Sequence, residues 1–180
     1  MKEEELIMGK SEIFIESVVN TFLEKSFKEE LPLTLMELNY LIFFLYADLL
    51  YKDYELFEES FIITKFGPVL YSIAHYYGNK NIKITDFMYS GENLDVWMIS
   101  DKTEIGRVVH ARLSYIWNLY KYTYGADLLK YLKENYCNVF STEDFKEIDD
   151  DDILKDEINI HEEILYSAKK RCMSYPRSNL

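Results

Sequence analysis

Histidine moves protons near neutral pH and is the commonest metal ligand, so chemistry is sought first at His75, His110 and His161, the three histidines of the chain. None stands in an H-E-x-x-H segment, beside a paired cysteine site or in a near-neighbour acid cluster of metal-binding spacing. Glu162 and Glu163 follow His161, but acids at the start of a helix are explained by its dipole. Cys137 and Cys172 are isolated, without a C-x-x-C pair, and suggest neither a zinc ribbon nor a disulfide framework. The four aspartates at 149–152 have the charge of a cation site and lack the alternating ligands and central glycine of a calcium loop. The glycines are scattered singly, which gives no phosphate-binding loop, and there is no G-x-S-x-G elbow. The chain is therefore expected to be non-catalytic, with no cofactor and no metal.

With no reactive constellation to position, the elements themselves carry the reading. Residues 11–28 place Ile15, Val18, Val19, Phe22 and Phe27 on one face of a helix, which Leu31 and Pro32 end. Thr34-x-x-Glu37 is a capping box, in which each side chain satisfies the other residue's backbone N–H, and Leu33 with Leu38 can close a hydrophobic staple over it. From Leu38 through Leu41 to Leu50 almost every residue is apolar or aromatic, so this helix is expected to run through the domain centre. It is too short to cross a bilayer and contains Asn39 and Asp48.

Residues 57–66 mix acids with β-branched Ile62, Ile63 and Thr64, which suggests a short extended stretch or an irregular loop. Gly67 and Pro68 then break the chain, and Pro68 is expected to open a helix carrying Tyr71, Ile73, Tyr76 and Tyr77 that Gly78 closes. A small β-hairpin can form around residues 82–100. Asp101-x-x-Glu104 reads as a second capping box ahead of a helix that Gly125 stops, and residues 126–136 restart as a shorter one. Nine acids between residues 143 and 157 face only Lys146 and Lys155 and read as a solvated connector. Residues 158–171 are expected to form a last helix and residues 172–180 a loose tail. The expected fold is mainly α: one compact helical domain over residues 1–180, about six helices, core about 11–171.

Composition narrows the function classes. A formal charge of -12 would repel a phosphate backbone, so direct nucleic-acid binding is not expected. Residues 1–6 are acidic where a secretory signal would be basic, so export is not expected and a cytoplasmic location away from membranes is the expectation. Sixteen tyrosines supply rings with polar tips, suited to half-buried positions and to protein interfaces.

Thr34-x-Met36-x-Leu38-Asn39-x-Leu41-x-x-Phe44, then Leu56-Phe57, then Lys65-Phe66-Gly67-Pro68-Val69 resemble the Panacea domain, the SocA-like or GepA-like antitoxin family of bacteria and their phages. Tyr71, Tyr76, Tyr77 and Ile82 follow at about the family's distances, and Tyr124-Gly125-Ala126-x-x-Leu129 looks like its second landmark. The chain departs from the pattern at Glu37 and Tyr40, where the family has lysines, at Phe43 for a tyrosine, and at Ile63-Thr64 for Ala-Trp. The resemblance implies a mainly helical, non-catalytic protein that neutralises a cognate toxin by direct contact, or an adaptor that hands it to a protease. The acidic balance alone also fits a phage-encoded inhibitor that imitates nucleic acid. Lys65, Phe66, Tyr71, His75 and Tyr76 flank the Gly67-Pro68 turn on an expected exposed edge and are the candidate protein contacts. Gly67, Pro68 and Val69, like Thr34, Glu37, Leu38 and Leu41, are read as structural.

Overall fold

A computed structural model describes residues 13–78, 82–89 and 98–174 of the chain. Among them are seven helices and one two-stranded antiparallel ladder: α1 Ile15–Lys28, α2 Leu35–Leu50, β1 Ile62–Thr64, β2 Gly67–Val69, α3 Tyr71–Tyr77, α4 Glu104–Tyr120, α5 Gly125–Asn135, α6 Cys137–Phe140 and α7 Asp150–Ser174. The fold is mainly α, as the periodicities require. No helix of the described residues is long and apolar enough to cross a membrane.

Helix α2 is the hub. Of its 16 residues, 12 are buried, and α1, α3, α4, α5, α7 and β2 all pack on it. Both halves of the capping box form: Glu37 N donates to Thr34 Oγ1 at 3.3 Å and Thr34 N donates to Glu37 Oε2 at 2.8 Å. Leu33 and Leu38 are both buried at that turn. Aromatic rings fill the far half of the helix, where Phe43 meets Phe61 and Tyr136 edge-on at 5.2 and 5.1 Å and Phe44 stacks on Tyr120 at 4.5 Å.

Two asparagines at the core hold irregular backbone in place. On α1, Asn20 donates from Nδ2 to Met88 O at 2.9 Å and accepts from Met88 N at 2.8 Å, replacing the partners a strand would supply. On α2, Asn39 donates to Leu35 O and accepts from Leu70 N, both at 2.8 Å, which fixes the chain where β2 turns into α3.

Several expectations are corrected. Pro68 does not open a helix; it lies in β2 opposite Ile63, and α3 starts at Tyr71. The pairing tolerates proline because Ile63 directs its own backbone groups the other way: Ile63 N donates to Lys146 O at 3.0 Å and Phe145 N donates to Ile63 O at 2.8 Å. The ladder therefore sits at 62–69, where a short extended stretch was an option. Of the hairpin expected around 82–100, residues 90–97 lie outside the described residues, and Lys83 forms an isolated antiparallel bridge to Thr34.

The cap of α4 is Thr103, which accepts from Gly106 N at 3.0 Å, not Asp101. Gly125 does not stop α4, which ends at Tyr120; it is the first residue of α5. The acidic stretch is a connector only in its first half: residues 141–149 are a mostly exposed link between α6 and α7, and from Asp150 on the stretch is helical. Helix α7 begins at Asp150 and continues to Ser174, because Ile148 and Ile153 are buried on either side of a first turn whose aspartates suit the helix dipole. Within the expected tail, residues 172–174 are thus helical, and residues 175–180 lie outside the described ones.

Glu157 on α7 is a buried acid with an unusual balance. Its side chain accepts from the Tyr136 hydroxyl and lies 3.4 Å from His161 Nε2. Burial pushes its carboxyl above the usual range, and the Tyr136 hydroxyl and His161 only partly oppose this. A folded state that holds this proton more tightly gains stability that is full below the unfolded value, near 4.5, and is lost as pH rises through the raised folded value. Glu157→Gln keeps an acceptor for Tyr136 and removes the titration. It is expected to be about 1 kcal/mol more stable than the parent at pH 7.5, with the difference shrinking towards pH 5. Urea denaturation at both pH values checks this; a variant that is less stable at pH 7.5 would show that the carboxylate contributes net favourable contacts.

Candidate functional site

The segments that carry the motif pattern meet in space. Glu37, on the first turn of α2, accepts from Gly125 N at 3.2 Å through Oε1 and from Lys83 Nζ at 3.1 Å through Oε2, besides its capping bonds. A Cβ on Gly125 would come within 3.0 Å of Glu37 Cγ, so the bare glycine lets the start of α5 sit against α2. One turn further, the Tyr40 hydroxyl donates to Phe66 O and its ring covers Gly67, where a Cβ would lie 2.7 Å from Tyr40 Cε1 and 3.3 Å from Leu129 Cδ1. Segments 34–41, 66–69 and 124–129 thus form one junction.

Electrostatics at the junction follow from these bonds. Burial works against ionised Glu37, but the Thr34 N–H and hydroxyl and the Lys83 ammonium together hold its carboxyl below the usual range. Burial pushes the Tyr40 phenol up to about 12, with the Glu37 carboxylate adding to the effect, so Tyr40 stays a neutral hydrogen-bond donor. The two departures from the lysine pattern therefore each acquire structural partners: a carboxylate that caps two helices and a phenol that clamps the turn.

The five candidate contacts are all exposed, and they fall into three groups. Lys65 and Phe66 form the turn between β1 and β2, with the Lys65 ammonium 4.9 Å from the Phe66 ring centroid. Tyr71 and His75, one helical turn apart on α3, stack at 5.7 Å. Tyr76 lies about 100° round the helix from His75. It meets Tyr77 and Tyr89 at 4.9 and 4.7 Å, and its hydroxyl accepts from Tyr89 N at 3.1 Å. Tyr71, at 64 % exposure, is the most open of the three aromatics.

Sequence reasoning missed a second feature beside the junction. A cleft of about 250 Å³ opens between Leu33 and Leu41 on one side and Tyr122, Tyr124 and Leu128 on the other. Its floor is apolar and the Glu37 carboxylate at its edge is already saturated, so it suits an apolar side chain better than a charged ligand. Tyr122 and Tyr124 are 75 % and 78 % exposed. The signal was a Tyr-x-Tyr in the short link between two strongly periodic helices.

The remaining described histidines and cysteine lie away from the junction. His110 Nδ1 lies 3.7 Å from Asp101 Oδ1, His161 stacks on Tyr51 at 4.1 Å, and Cys137 is an exposed free thiol. Among the described residues no group of three or more His, Cys, Asp or Glu side chains is placed to hold a metal ion. Compared with known proteins, the chain matches no family model, no curated protein and no solved structure.

Proposed function

We propose that this chain is a protein-binding module that neutralises a cognate toxin by direct contact. The carrying observation is the exposed aromatic set Phe66, Tyr71 and Tyr76, held on short elements whose backbones are bonded to the central helix through Tyr40 and Asn39. Large rings fixed on a rigid support lose little side-chain entropy on binding and are typical anchors of protein interfaces. Lys65 and His75 add donors at the same edge. The resemblance of the 34–41, 66–69 and 124–129 segments to the Panacea domain is the source of the toxin-neutralising part of the reading.

The test is co-expression with the product of the adjacent gene, followed by co-purification and growth rescue. The parent is expected to bind and to restore growth. Phe66→Ser with Tyr71→Ser is expected to weaken binding by about tenfold or more and to lose rescue. Leu119→Ser, at an exposed position on α4, should leave both intact. A neighbour that is harmless and unbound, or a double variant that binds as the parent does, would overturn the reading.

A further inference from the structure

A second candidate surface lies on the α1 side of α3. A cleft of about 450 Å³ is lined by Phe14, Ile15 and Phe57, with Glu16, Glu58 and Glu59 supplying its charge. An adjoining cleft of about 340 Å³ shares Glu58 and adds Glu55, Glu147, Asp149 and Asp150 beside Tyr46. Among the described residues lining the two clefts there is no lysine, arginine or histidine.

Some of these acids are used internally. Glu59 accepts from Ser72 N at 2.9 Å, Asp149 from Asp151 N at 2.8 Å, and Asp150 from the Tyr46 hydroxyl at 3.0 Å. Glu16, Glu55, Glu58 and Glu147 have no cationic partner among the described residues. Burial raises the Asp150 carboxyl above its usual range, and the neighbouring Asp149 and Asp151 charges add to that, so the second cleft is short of positive charge. In the first cleft Phe14 is 65 % exposed, and the Ser72 hydroxyl is buried with no hydrogen-bond partner among the described residues.

An exposed ring in an apolar cleft whose rim is uniformly acidic is complementary to a peptide that carries both an apolar anchor and cations. It is repulsive to a phosphate backbone. We propose that this double cleft docks a short basic segment of a protein partner, seating one apolar side chain against Phe14 and Phe57 and bringing an arginine or lysine to Glu58 and the acids beyond it. The inference rests on the protein-binding reading for the class of partner and adds the chemistry of the segment that is recognised.

The test uses the full chain and three fluorescein-labelled peptides read by anisotropy: Arg-Lys-Phe-Leu-Arg-Arg, its counterpart with every cation replaced by glutamate, and Arg-Lys-Gly-Gly-Arg-Arg. The first is expected to bind at least about tenfold more tightly than either of the others. Glu58→Gln with Glu147→Gln, both at exposed positions, should weaken it by about tenfold, Phe14→Ser by about fivefold, and Phe66→Ser with Tyr71→Ser not at all. Thermal melts of each variant confirm that the fold is kept. Equal binding of the glycine peptide would reduce the effect to net charge and overturn the proposal, as would binding indifferent to Glu58 and Phe14. Self-association of the chain that Phe14→Ser abolishes would assign the cleft to a second copy and overturn it too. If the first peptide fails while the adjacent gene product still binds through Phe66 and Tyr71, only this inference falls; the reverse pattern removes the toxin reading and leaves the cleft.

Discussion

Gly67→Val is expected to lower the unfolding free energy by about 3–5 kcal/mol, enough to leave much of the protein unfolded at 37 °C. Two separate costs combine. Gly67 has φ +104°, a conformation that only glycine adopts without strain, and any Cβ there would lie 2.7 Å from the Tyr40 ring. The ring cannot swing aside without breaking the bond from its hydroxyl to Phe66 O, and Leu129 closes the other side. Gly67→Ala with and without Tyr40→Leu separates the two terms, since the second change relieves the overlap and leaves the backbone strain. Urea unfolding monitored by circular dichroism gives both numbers. A Gly67→Val protein of parental stability that no longer binds its partner would move Gly67 from the fold to the contact surface.

The same residues show what a single chain discloses and what it hides. Thr34 and Glu37 were legible because a capping box is a local device: both partners lie within four residues and the geometry is fixed by the first helical turn. The central position of α2 was legible because a helix without a polar face has nowhere else to go. Glu37 also caps α5 across 88 residues, and nothing local announces a bond to Gly125. Pro68 was misplaced for a similar reason. Its tolerance in a strand depends on which way Ile63 points its backbone groups, and that is decided by residues 145–146. Of the candidate contacts, exposure was legible from their place beside a turn, whereas their division into three groups depends on how α3 is rotated against α2. The clefts at Tyr122 and at Phe14 are made by elements distant in sequence, and only a packed structure brings their walls together.

The acidic stretch before and within α7 is the sharpest instance, because its charge reads as solvation while one of its members is the most heavily bonded acid in the core. Asp156 is 2 % exposed and accepts from Asn138 N at 3.1 Å, Asn138 Nδ2 at 2.7 Å and Val139 N at 3.0 Å. Helix α6 is a single turn, and its N-cap, Tyr136, makes no side-chain capping bond; Asp156, reaching over from α7, accepts the N–H groups that a local cap would have satisfied. Asp156→Ala therefore leaves two backbone donors and an amide without partners, one of them beside fully buried Val139, and is expected to cost about 3 kcal/mol. Asp156→Asn retains one acceptor oxygen but turns an NH₂ group towards a donor, and should fall between the parent and the alanine variant. The contrast with its neighbour is the decisive control: Glu157→Gln, one residue on, is expected to be about 1 kcal/mol more stable than the parent at pH 7.5, because Glu157 has one hydroxyl donor, an imidazole 3.4 Å away and a burial cost rather than three N–H groups to satisfy. Urea midpoints for the three variants order them, and amide hydrogen exchange at Asn138 and Val139 should accelerate most in Asp156→Ala, less in Asp156→Asn and not in Glu157→Gln. An alanine variant within about 1 kcal/mol of the parent would mean that water reaches α6 and replaces the carboxylate there.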